Sequence, residues 1–420
     1  MKKTIVVITK EYWPISNGTV TCISNIINEL KEKYDIKLFC SNTNSLKSTV
    51  EIVDGITVFQ LGNIFNYYYN ILNYLDDVLL FKRYRKVQHL LSFLAYLLVG
   101  VHSVNTEKNW SKIWKIISKF TELEKVEYVL SIAMPYSNVY IASKLISRYP
   151  DLKVGHILFD LYADNPALLK EDKNQDSYKR RVKEEEYWFE FSTRVFVTKE
   201  MLNCYSINHL ENLSKFRVIG LPMIYSQRKY IEHKREIVKE IKVVYTGQFY
   251  KNIRNSDSLK RLIENLWERN DDLNFHILGG RFDVSKYNNE LKSRILFYGN
   301  VTKEKALRAI NSADVLINIS NNSLTQIPSK IYEYISTGKP IINIYSIDDD
   351  LCVSILNNYP LSLSVNVADL SKVETLEKIN GFILYNRGMG IDFEIIRGLY
   401  AMNTPSFVSD IIDTELKSEI

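Results

Sequence analysis

The sequence predicts an α/β protein of two domains, each a parallel sheet covered by helices. Three observations support this: the length of 420 residues, a near end-to-end alternation of short apolar runs with amphipathic stretches, and a polar basic segment in the middle. Chains of this length usually exceed one core, so two domains are expected. The composition, 46% hydrophobic and 25% charged, lets both bury a core and leaves no tract that reads as disordered.

In the first domain, expected over residues 1–225, the strand candidates are TIVVIT, IKLFC, ITVFQ, YVLSI, VGHILFD and RVFVT. The opening MKKTIVVITKEYWP carries an apolar run only from Ile5 to Ile8, so it reads as a first strand and not as a leader. A helical insert, about 64–120, interrupts the alternation. It contains the longest apolar run, LLSFLAYLLVGV, short of the roughly 20 residues a spanning helix needs. The segment SQRKYIEHKREIVKE supplies a linker at 226–240. The second domain, 241–390, restarts with IKVVYTG, NFHILGG, RILFYG, VLINIS and PIINIY. Residues 391–420 read as helices broken near Pro405, with a terminal helix able to pack back across the domains.

The net charge of +5, on 54 basic and 49 acidic residues, suits an anionic small molecule or a membrane surface. Acids balance the bases and no groove-reading module appears, so nucleic acid is not an expected partner. Cys22, Cys40, Cys204 and Cys352 follow no metal spacing and fit reduced thiols in a cytoplasmic protein.

Ligands of open parallel sheets bind at the carboxyl ends of the strands, so the strand-to-helix loops are where chemistry is expected. The segment PSKIYEYISTGKPII follows VLINIS and the Asn-rich loop NNSLTQ. Pro328 and Ser329 read as its helix start, with Ser329 able to cap, and Gly338 followed by Pro340 as its stop. Helical spacing puts Lys330, Glu333 and Thr337 on one face, and Ile331, Tyr334 and Ile335 on the other. A carboxylate there can accept two sugar hydroxyls, while the first-turn N–H groups and a lysine favour phosphate. An exposed ion pair with ordinary caps reads the same pattern equally well. After VVYTG, Gly247 permits close backbone approach, and Arg254 offers a bidentate donor for a diphosphate.

These segments resemble the donor half of GT-B glycosyltransferases, specifically the family 4 group that builds bacterial surface polysaccharides. They are VVYTGQFYKNIRNSDSLKRLIENL, NFHILGG, ILFYGNVTKEKALRAINSADVLINIS and PSKIYEYISTGKPII, in the family's order across about 243–342. EYWPISNGTVTCISNIINEL and HILFDLYADNP are more loosely similar to its first-domain motifs.

The resemblance implies a GT-B fold, with two Rossmann-like domains facing a cleft, acceptor on the first and nucleotide-sugar on the second. It also implies residue roles. Glu333 would hold the ribose hydroxyls, Arg254 and Lys330 would neutralise the departing diphosphate, and Gly18 would let the first helix approach the donor phosphates. Transfer would be retaining and metal-independent, with no cofactor beyond the nucleotide-sugar, whose expected base is uridine. Two departures stand out. Where the family has its first glutamate, this chain has Thr325 with Gln326 beside it, which leaves donor-sugar contacts to the amides and hydroxyls of NNSLTQ. Gln248 replaces a basic residue common after Gly247, which shifts phosphate binding toward Arg254.

Asp160, ending VGHILFD, is the acceptor-side candidate, placed to orient or help deprotonate a sugar hydroxyl. Strand alternation puts His156 on the same face, where a satisfied core histidine is the commoner reading. Asp164 and Asn165 read equally as turn formers before Pro166. Asp348 and Asp350 have a manganese-like spacing, but their place before a helix favours capping, and no metal is expected. Lys82, Arg83, Arg85 and Lys86 precede the insert's apolar run, which fits either peripheral contact with an anionic membrane or a buried helix with a solvated first turn. Lipid-linked or glycan acceptors fit the former. The alternatives are a noncatalytic partner subunit, since the first glutamate is missing, and a nucleotide-sugar epimerase on the same fold.

Overall fold

The computed structural model describes residues 2–12, 17–42, 48–62, 117, 123–133, 136–165, 176–227, 240–249 and 253–418. The chain forms two compact units. One comprises Met1–Gly220 together with Val408–Ile420, and the other comprises Leu221–Phe407. The division falls at Gly220, before the polar segment 226–240.

Among the described residues, eight strands build the first unit's sheet: β1 (Thr4–Ile8), β2 (Asp35–Asn42), β3 (Thr49–Val53), β4 (Ile56–Gly62), β5 (Val126–Ile132), β6 (Val154–Ile157), β7 (Arg194–Val197) and β8 (Phe216–Val218). Their order is β3-β4-β2-β1-β5-β6-β7-β8, parallel throughout except for the β3–β4 pair. That pair closes over Asp54 and Gly55, both at positive φ, a two-residue hairpin turn. β1 and β5 are neighbours from which the chain winds in opposite directions, so the sheet's topological switch point lies between them. Helices α1 (Gly18–Leu30), α2 (Ser137–Arg148), α3 (Asp176–Glu190) and α4 (Lys199–Asn208) are among the described residues of this half. α1 buries Ile23, Ile26, Ile27 and Leu30 on β1, β2 and β5.

The second unit's strands are β9 (Ile241–Thr246), β10 (Leu273–Leu278), β11 (Ile295–Gly299), β12 (Val315–Ile319), β13 (Ile341–Tyr345) and β14 (Ser362–Asn366). All its pairings are parallel, in the order β11-β10-β9-β12-β13-β14, with the switch point between β9 and β12. β9 and β12 read as continuous apolar runs because both their faces are covered. Helices α5 (Asp257–Trp267), α6 (Asn289–Ser293), α7 (Lys303–Asn311), α8 (Lys330–Ile335), α9 (Leu351–Leu356), α10 (Val373–Asn386) and α11 (Phe393–Leu399) belong to this half. The core joins Leu259, Leu262, Ile263 and Leu266 of α5 and Leu376, Ile379 and Ile383 of α10 to the inward side chains of the sheet.

The last helix, α12 (Pro405–Lys417), returns to the first unit, where Val408, Ile412 and Leu416 join the α1 core. Polar contacts fix it there: Tyr34 donates to Asp413 at 2.6 Å, and Glu415 pairs with Arg194 and Arg217 at 3.0 and 2.7 Å. The insert expected at about 64–120 lies outside the described residues, apart from Ile117, which is helical and buried.

Candidate functional site

The carboxyl edge of the second sheet gathers the predicted donor-side residues around its switch point. At the end of β9, Gly247 presents bare backbone. A Cβ there would stand 3.1 Å from Arg254 Nη1 and 3.0 Å from the Tyr245 hydroxyl, so the glycine makes room for the guanidinium. Arg254 Nε and Nη2 donate to Asn321 Oδ1 at 3.2 and 2.8 Å, and the guanidinium forms no ion pair among the described residues. Asn321 sits just beyond β12, so the two loops flanking the switch point meet through this contact.

Helix α8 is tied to the same edge. The Thr246 N–H donates to the Tyr334 hydroxyl at 2.8 Å, and that hydroxyl donates back to Thr246 O at 3.3 Å. Gly338 ends the helix at φ +73°, where a Cβ would come within 2.1 Å of the Ile391 carbonyl oxygen, so only glycine fits.

Two features of α8 differ from expectation. Ser329 does not cap: its backbone is helical and its side chain makes no capping bond. The Ile331 and Tyr332 N–H groups bond back to Pro328 O and Ser329 O at 3.0 and 3.2 Å, so this first turn keeps those donors for itself. Nor is the Lys330–Glu333 face open. Tyr332 and Glu333 are buried along with Ile331, Tyr334 and Ile335, and residues 223–227 are bonded to the helix: Gln227 donates to Glu333 O at 2.9 Å and Ser336 to Met223 O at 3.2 Å. Lys330 Nζ lies 2.5 Å from Glu333 Oε2. Glu333 Oε1 has no donor among the described residues, so it is the oxygen available to a ligand hydroxyl.

The remaining donor-side residues serve the loops. Thr325 and Gln326 form a turn whose N–H groups bond Ser323 Oγ at 3.3 and 3.1 Å, and the Gln326 carbonyl accepts from Asn321 Nδ2 at 3.0 Å. Gln248 bridges the ends of three strands, donating to Asn300 at 2.7 Å and accepting from the Gly280 N–H at 3.0 Å. Asp350 caps α9 through the Val353 N–H at 3.0 Å and accepts from Ser320 at 2.9 Å. Burial raises its carboxyl above the ordinary range. No cluster of three or more His, Cys, Asp or Glu able to hold a metal occurs among the described residues.

In the first unit, Gly18 opens α1, where Asn17 caps by accepting from the Val20 N–H at 2.9 Å. Asp160 lies in a bend past the end of β6, so strand alternation does not relate it to His156. Its backbone carbonyl accepts from Tyr136 at 3.0 Å. His156 is a core residue between Ser131 (2.7 Å) and Ser143 (3.3 Å), and burial pushes its pKa down to about 3. Asp164 accepts from Tyr178 at 3.3 Å. Sequence reasoning missed the buried pair behind this loop: Glu185 Oε2 lies 3.0 Å from His209 Nε2, and Glu185 Oε1 accepts from the Ala163 N–H at 3.1 Å. Burial raises the Glu185 carboxyl, and His209 opposes the rise. Lys82, Arg83, Arg85 and Lys86 lie outside the described residues. No helix among those described is long and apolar enough to cross a membrane.

Residues 240–347 match a family model described as glycosyl transferases group 1. No curated protein matches the chain by sequence. Among solved structures, a UDP-forming α,α-trehalose-phosphate synthase from Burkholderia xenovorans, in complex with glucose-6-phosphate, is similar at TM-score 0.61 and 12% identity, covering 99% of this chain and 100% of that one. An E. coli structure described as trehalose-6-phosphate bound with UDP-2-fluoro glucose gives 0.59 and 12%, with 99% of each chain covered. A structure described as a putative UDP-N-acetylglucosamine 2-epimerase from Listeria monocytogenes gives 0.53 and 10%, covering 100% of this chain and 96% of that one. These likenesses show the fold: two α/β units with parallel sheets, in the GT-B class.

Proposed function

We propose that the chain is a retaining, metal-independent glycosyltransferase that moves a sugar from a nucleoside diphosphate, UDP first among the candidates, to a glycan or lipid-linked glycan in bacterial surface polysaccharide synthesis. One observation carries the reading. Arg254, which has no ion pair among the described residues, and the Lys330–Glu333 pair lie on one carboxyl edge at a switch point, inside the segment that matches the group 1 glycosyltransferase model. A diphosphate and a ribose together ask for those groups: a guanidinium for the phosphates and a carboxylate oxygen for the hydroxyls.

In the reaction, the bond from the anomeric carbon to the diphosphate oxygen breaks and the acceptor hydroxyl oxygen bonds to that carbon. The acceptor proton passes to the leaving phosphate. Arg254 stabilises the charge that builds on the diphosphate, an effect worth several kcal/mol when donors are preorganised. Lys330 has three N–H donors and, among the described residues, one partner, Glu333, so it can share its charge with a phosphate oxygen while it holds that carboxylate. Asp160 would orient the acceptor hydroxyl. The UDP-2-fluoro glucose named for the E. coli structure supports a nucleotide-sugar donor.

The test is incubation of the purified chain with UDP-, GDP- and ADP-sugars, with and without glycan acceptors. Release of the nucleoside diphosphate, faster with acceptor and lost in Arg254→Ala, supports transfer. Conversion of the sugar without release would establish the epimerase instead. Nucleotide binding with neither outcome would leave the noncatalytic partner subunit.

A further inference from the structure

We infer that Asn321 is a positioning residue that holds Arg254 in its diphosphate-facing pose without neutralising its charge, an inference that rests on the donor-site reading above. The contact has three parts. Asn321 Oδ1 takes two guanidinium N–H groups, from Nε at 3.2 Å and Nη2 at 2.8 Å. Its Nδ2 donates to Gln326 O at 3.0 Å, which fixes the amide: the flipped orientation would set N–H against N–H at the arginine and oxygen against oxygen at Gln326. The loop carrying the amide is anchored on both sides. The Asn322 N–H donates to Ile253 O at 2.8 Å, tying it to the Arg254 segment, and Ser320 Oγ is held by Asp350 and Asn343 at 2.9 and 3.1 Å.

An arginine carries five N–H donors, and Asn321 uses two. Both Nη1 donors stay unengaged by the described residues, against the side-chain-free backbone of Gly247. The identity of the positioning group then matters. An aspartate would grip the same guanidinium more strongly but would compete with an incoming diphosphate for its charge. A carboxamide supplies the carbonyl geometry and no countercharge. Sequence reading assigned the amides of NNSLTQ to the donor sugar; the structure turns this one to the arginine.

The experiment is isothermal titration of the full chain with UDP, GDP and ADP and with the corresponding nucleosides, for the native protein, Asn321→Asp, Asn321→Ala, Arg254→Ala and the double variants. For the diphosphate that binds the native chain, Asn321→Asp should weaken binding about tenfold or more, equivalent to about 1.4 kcal/mol. The loss should grow at low salt, while nucleoside affinity stays within about twofold. Asn321→Ala should weaken the diphosphate as well, and neither change should add to Arg254→Ala. Native-like affinity in Asn321→Asp would overturn the inference, as would an Asn321→Ala cost that persists undiminished without Arg254. Should Asn321→Asp fail to fold, the alanine cycle decides alone. If the native chain binds no nucleoside diphosphate, the donor-site reading itself falls and the inference with it, an outcome distinct from a loss seen only in the variants.

Discussion

Replacing Tyr334 by phenylalanine tests how the glutamate-bearing helix is fastened to the sheet. The hydroxyl is fully buried and makes contacts with the Thr246 N–H, carbonyl oxygen and hydroxyl at 2.8, 3.3 and 3.1 Å. Phenylalanine fills the same space, so no cavity forms, but the Thr246 N–H is left buried without an acceptor. Such a group costs about 1–3 kcal/mol. At about 2 kcal/mol, and roughly 2–4 °C per kcal/mol for a unit of this size, Tm should fall by about 4–8 °C in calorimetry of the full chain. Burial holds the phenol well above its ordinary pKa, so it stays protonated and the deficit should be equal at about pH 6 and about pH 9. Glu333 rides on the same helix, so nucleotide affinity should fall too. A Tm shift below about 1 °C would refute the fastening argument.

Three further outcomes are expected. His156 stays neutral in the fold down to about pH 3, whereas the unfolded chain takes up its proton near 6.5; this residue's contribution is therefore intact above 6.5 and is lost as pH falls, by about 2 kcal/mol at pH 5. Denaturation series should show a slope flatter by about one proton in His156→Gln across that window, and an unchanged slope would contradict it. Gly338→Ala should cost more than the roughly 1–2 kcal/mol of an ordinary left-handed residue, because its Cβ meets the Ile391 backbone, so an unaltered Tm would count against the turn. Alkylation followed by peptide mapping should label Cys204 first: Cys22, Cys40 and Cys352 are buried, and burial pushes the Cys40 and Cys352 thiols up to about 12. Rapid labelling of Cys352 would contradict the packing around α9.

The apolar runs made most of the fold legible, because strands covered on both faces need little else: β9, β12 and β13 were all visible as VVYT, VLINI and IINIY. The strands missed are the weakly patterned ones. β14, SLSVN, alternates serine with apolar residues at the sheet edge, and β8 has three residues. β3 pairs antiparallel through Asp54–Gly55, a hairpin signal that was present and passed over. Periodicity put Glu333 with Lys330 correctly, but the burial of Glu333 on a helix of six residues is a tertiary fact that spacing does not encode. The Arg254–Asn321 contact joins positions 67 apart in sequence, and only the strand order, β9 beside β12, brings them together. Glu185 stood within KEEEYWFE, which reads as a solvated acidic run until its helix buries that one member against His209.

The donor site is tested most directly by thermal unfolding of the native chain and of Glu333→Ala with UDP, GDP, ADP and CMP. A ligand at about 100 times its dissociation constant should add about 2.7 kcal/mol of stability. The expected result is stabilisation by one nucleoside diphosphate, lost in Glu333→Ala, and that nucleotide would name the base for a sugar screen. A folded native chain that none of the four stabilises would contradict the donor site at Glu333 and Arg254.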